Sequence, residues 1–130
     1  MNKPKRNNGI TAIWWDLKFK RLDLSSVARK YIEKTGYSTE FTVRVEKEYK
    51  RFLEMASEGH EVVPSQQIDD FWHNHVLDTE KYRKDCDILG VFIDHCPDDG
   101  SKDLDSDFDN TLEIYNQHFG EEPPKDIWGI

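Results

Sequence analysis

The segment Val63–Pro97, VPSQQIDDFWHNHVLDTEKYRKDCDILGVFIDHCP, gathers His73, His75, Asp85, Cys86 and His95 in one short stretch. Imidazole, thiolate and carboxylate are the ligand types that hold zinc or non-haem iron. These five residues are therefore the candidate metal ligands. Their spacing is not the HExxH pattern, in which two histidines share one helix face. His73 and His75 are two apart, about 200° around a helix, so an unbroken helix gives at most one of them to a metal. The other use of the same residues is a buried polar core. In that arrangement Asp69, Trp72 and Tyr82 join the set, Asp85 and Tyr82 satisfy His75, and Cys86 is a small buried hydrophobe. Asp69 and His73 are four apart and can form a hydrogen-bonded pair that fixes the ring. A Cys86 nucleophile with His75 or His95 as its base is chemically conceivable, but nothing in the spacing requires it.

Helical phase decides which of these groups can meet. Ser65 caps a helix running to about Leu77, with Ile68, Phe71, Trp72 and Val76 on its apolar face and His75 at the centre of that face. A second helix begins at Asp78 or Thr79 and ends at Gly90, with Tyr82, Cys86 and Leu89 as its stripe and Asp85 beside it. The join is a residue or two, which predicts a tight helical hairpin. That hairpin is expected to bring His75, Tyr82, Asp85, Cys86 and His95 together.

Around it, Thr39–Ser57 places Phe41, Val45, Tyr49, Phe52, Leu53 and Ala56 on one helical face. Leu24–Thr35 reads as a helix capped by Ser25 or Ser26 and ended by Gly36. Ile10–Leu22 alternates like a strand at Trp15, Leu17 and Phe19, and a short helix fits equally. Asp94–Asp109 reads as an acidic loop. A last helix is expected over 109–119, followed by Pro123-Pro124 and an apolar anchor of Ile127 and Trp128. Residues 1–9 read as a flexible tail and 10–130 as one domain. The expected fold class is all-α, a compact bundle of about five helices around the hairpin.

The chain has 130 residues, 36% hydrophobic and 34% charged, with a formal net charge of −8. That balance argues against nucleic acid, whose phosphates call for clustered Lys and Arg. No apolar run is long enough for a membrane span, and no apolar stretch follows the basic start as a signal peptide would require. Two cysteines do not make a disulfide framework, and the chain reads as cytoplasmic. Asp103, Asp105, Asp107 and Asp109 imitate the start of a calcium loop. Phe108 stands where that loop needs Gly, however, and Ile114 where it needs the bidentate Glu. Adjacent Trp14 and Trp15 suggest that one of them is available to a partner.

Val63-Pro64-Ser65, Ile68-Asp69-x-x-Trp72-His73-x-His75 and Leu77-Asp78-Thr79-x-x-Tyr82-x-x-Asp85-Cys86 together resemble the signature of the glycine-rich domain-containing protein-like family. Gly90, Asp94-His95-x-Pro97, Thr111-x-x-x-Tyr115-x-x-x-Phe119-Gly120, Pro123-Pro124 and Ile127-Trp128 extend the resemblance over roughly residues 24–130. The resemblance implies a helical domain without a reaction to transfer. The glycine-rich and RNA-binding-like segments of longer members have no counterpart here. Two functions follow as expectations. The first is a small interaction or accessory domain that binds another protein and has a Trp-His-x-His polar core. The second is a metal-dependent protein or enzyme with a His/Asp/Cys site for zinc or iron.

Overall fold

A computed structural model describes residues 9–95 and 104–130, and among them lie seven helices and no strand. They are α1 (Gly9–Lys20), α2 (Ser25–Thr35), α3 (Thr39–Ser57), α4 (Gln66–Leu77), α5 (Thr79–Leu89), α6 (Leu104–Phe119) and α7 (Lys125–Trp128). The all-α class holds. The count exceeds five because α1 is a helix and the Ile127-Trp128 anchor closes into a turn of helix. The expected tail falls almost wholly on residues outside those described. No helix among the described residues is long and apolar enough to cross a membrane.

The element starts follow local chemistry. Ser38 and Ser65 accept from the backbone N–H groups of Phe41 and Ile68, satisfying donors that a helix start leaves free. α2 differs from expectation. Its cap is Leu24 with no side-chain bond, and Asp23 instead accepts from the Ser25 N–H at 3.0 Å. Asp78 alone joins α4 to α5. Its φ of −86° and ψ of 77° break the helix, and its side chain accepts from the Lys81 N–H. Gly90 ends α5 at φ 86°, in the left-handed region where a Cβ is strained.

α6 corrects the acidic loop. The helix begins at Leu104, with Asp105 and Asp107 in its first turn. Carboxylates there face the positive end of the helix dipole, so an acidic run is a helix start as readily as a loop. With Asp105, Asp107 and Asp109 all helical, the calcium-loop geometry is absent from the described residues.

α4 is the central element and packs against α2, α3, α5 and α7, while α3 packs against α2, α4, α6 and α7. Tyr49, Phe52, Phe71, Trp72, Tyr115 and Trp128 are buried between them. Burying a large apolar side chain is worth roughly 1.5–3 kcal/mol, so this aromatic interior holds the layers together. α1 packs on α5, burying Trp15 and Phe19 and leaving Leu17 exposed. Trp15 Nε1 donates to Glu58 at 2.9 Å, and Trp14 stays half-buried under the Lys18 ammonium.

Candidate functional site

His75 lies on the buried face of α4, 1% exposed, as its helical phase requires. Its Nε2 is 2.7 Å from Asp85 Oδ2 on α5, and its Nδ1 is 2.7 Å from Tyr49 Oη on α3. Lys81 Nζ sits 3.0 Å from the same Asp85 oxygen. A carboxylate held by Lys81 can only accept, so His75 donates through Nε2–H. Its Nδ1 then accepts from the Tyr49 hydroxyl. Burial lowers the His75 pKa below its usual 6.5 against the opposing pull of Asp85, which keeps the ring neutral. Burial also pushes Tyr49 well above the ordinary phenol range.

A second chain of bonds runs alongside. Trp72 Nε1 donates to Tyr82 Oη at 2.9 Å, and that hydroxyl donates to the Ile93 carbonyl. The His75 and Tyr82 rings meet edge to face at 4.8 Å. Cys86 is buried beside Tyr82 and Ile93, and burial raises its thiol pKa. A thiol held protonated is poorly suited to be either nucleophile or ligand.

The hairpin therefore places His75, Tyr82, Asp85 and Cys86 together, with Trp72 bonded to Tyr82. It does not bring in His95 or His73. His95 Nε2 is 2.8 Å from Asp69 Oδ1, and the ring packs edge-on to Trp72 at 4.4 Å. His73 is exposed and lies 5.8 Å from the His95 ring. Asp69 thus partners His95 and not His73. The loop after Gly90 carries His95 back over α4, where it competes for the carboxylate. Among the described residues no group of three or more His, Cys, Asp or Glu side chains is placed to hold a metal ion. The five candidate ligands are divided between a sealed interior and a partly open rim. Cys96 lies outside the described residues.

Tyr49 was readable only as a core aromatic, because its polar partner lies 26 positions along the chain. Two further networks carry buried carboxylates that helical phase alone leaves on a polar flank. Glu48, 4% exposed, accepts at Oε1 from Tyr115 Oη at 2.6 Å and from Trp128 Nε1 at 3.0 Å. Arg51 Nη1 donates to Tyr115 Oη at 2.6 Å and to Glu121, and its guanidinium lies 4.6 Å from the Phe119 ring. Glu54, 1% exposed, is bridged by His118 Nε2 at 2.7 Å. The partners all lie 64 to 80 positions away, beyond any local pattern.

A search of family models, curated proteins and solved structures found no match to this chain.

Proposed function

We propose that this chain is a small interaction or accessory domain whose Trp-His-x-His motif builds a structural polar core. One observation carries this reading. Both His75 nitrogens and the Tyr82 hydroxyl are engaged by protein groups inside a sealed interior, which leaves no valence for a substrate. A general base needs a reacting proton within hydrogen-bond reach, and His75 spends its acceptor nitrogen on Tyr49. The motif resemblance to the glycine-rich domain-containing protein-like family supports the same reading, since it implies no reaction.

Metal analysis of protein purified without a His tag tests the proposal, combined with thermal melting in the presence and absence of a chelator. The expected result is a substoichiometric metal content and an unchanged melting temperature. Stoichiometric zinc or iron that is lost on His75→Ala in a still-folded protein would instead establish the metal-dependent reading.

A further inference from the structure

Glu48 lines a cleft of about 340 Å³ between α3 and the C-terminal strap, with Arg44, Lys47, Glu121, Glu122, Pro124 and Ile127. A buried carboxylate is costly unless its oxygens are satisfied. Tyr115 and Trp128 hold Glu48 Oε1 in place. Both of these bonds fall on Oε1, which leaves Oε2 as the carboxylate oxygen without a hydrogen bond among the described residues, on a side chain that lines the cleft. The cations at the rim are largely committed. Arg44 makes a two-pronged pair with Asp126 at 2.7 and 2.9 Å, and the nearby Arg51 pairs with Glu121. The lining holds three carboxylates against two cations. The wider field has the same sign, since residues 22–130 carry twelve Lys and Arg against twenty-five Asp and Glu.

We propose that this cleft receives a basic side chain from a lysine- or arginine-bearing segment of a partner protein, with Glu48 Oε2 as its acceptor. The inference rests on the interaction-domain reading and assigns that domain a surface and a partner chemistry. A pre-positioned carboxylate at the wall of an otherwise charge-paired cleft pays little ordering entropy when a cation arrives. The negative field steers a basic segment toward it from a distance, an effect that weakens with salt.

The test is a titration with an acetylated, amidated Lys-Gly-Lys-Gly-Lys peptide, followed by the ¹H–¹⁵N signal of the Trp128 indole, which shares its carboxylate with the ligand. The expected result is a saturable shift of that signal, with a Kd that rises with salt. Glu48→Gln should raise the Kd about tenfold, as expected for loss of a close charge pair. Lys47→Glu, an exposed change that leaves the interior intact, should lower it about threefold by removing the opposing charge. If Glu48→Gln fails to fold, the Lys47→Glu result decides. No saturable shift, a Kd indifferent to both substitutions, or equal binding of the glutamate analogue of the peptide would overturn the proposal. Each of these results would leave the sealed-core reading standing, because metal content and melting measure that separately.

Discussion

Glu48 and Tyr49 are neighbours on α3, yet they anchor polar networks with opposite relations to solvent. Tyr49 turns toward α4 and closes the His75–Asp85 chain, in which each hydrogen-bonding position of the imidazole is filled from within the protein. Glu48 turns toward α6 and α7 and fills one oxygen from Tyr115 and Trp128, leaving the other at a cleft. Burial of a titratable group therefore does not by itself mark a site in this fold. The distinguishing feature is an acceptor left open where a ligand can reach it. The hairpin contains the residues that look most like chemistry, and it is the closed network of the two.

The comparison breaks first at His75. His75→Ala strands the Tyr49 hydroxyl in the core and leaves the Asp85 carboxylate to Lys81 alone. Each buried partner deprived of its hydrogen bond costs roughly 1–3 kcal/mol, more where it is charged, and two lose one here, against the 5–15 kcal/mol typical of a domain. Urea denaturation should show a partly or wholly unfolded protein. A loss below about 1 kcal/mol would mean that the network opens to water. Tyr82→Phe comes next, since it leaves Trp72 Nε1 and the Ile93 carbonyl without their shared hydroxyl. It should cost about 2 kcal/mol by the same measurement.

The hairpin was largely legible in the sequence. A 100° rotation per residue puts His75 among Ile68, Phe71 and Trp72, and it puts Asp85 beside Tyr82 and Cys86 on the next helix. The short join then forces the two faces together. His95 was expected beside His75 but pairs with Asp69, because the residues after Gly90 carry no periodicity to fix where it points. The Glu48 and Glu54 networks were hidden for a different reason. A glutamate on a helix flank reads as solvated, and only long-range partners such as Tyr115, Trp128 and His118 make its burial affordable. Asp105, Asp107 and Asp109 at the start of α6 read as a loop because a loop and a helix start favour the same side chains.

A smaller effect sharpens the contrast through pH. His75 has a lower pKa folded than unfolded, so between the two values only the unfolded chain takes up the proton. Its contribution to stability is complete above pH 6.5 and is lost as the pH falls through the folded value. The limiting slope for one proton is about 1.4 kcal/mol per pH unit. Unfolding free energies measured from pH 7.5 to 5 should decline with falling pH. His75→Gln, which can still donate to Asp85 and accept from Tyr49, should decline less steeply. The smallest effect is expected at the rim. Arg44 and Asp126 pair in the open, with both side chains about half exposed, and solvent screens such pairs. Arg44→Ala should leave the denaturation midpoint unchanged within error.

The sealed state of the hairpin network is most directly read from the His75 ring itself, by long-range ¹H–¹⁵N spectroscopy between pH 7.5 and 5. The structure predicts a neutral imidazole with its proton on Nε2 and an acceptor Nδ1, which in the folded protein titrates at a pH below the ordinary histidine value of 6.5. A His75 that titrates in the folded protein at the ordinary histidine value, or that carries its neutral proton on Nδ1, would contradict the closed Tyr49–His75–Asp85 chain.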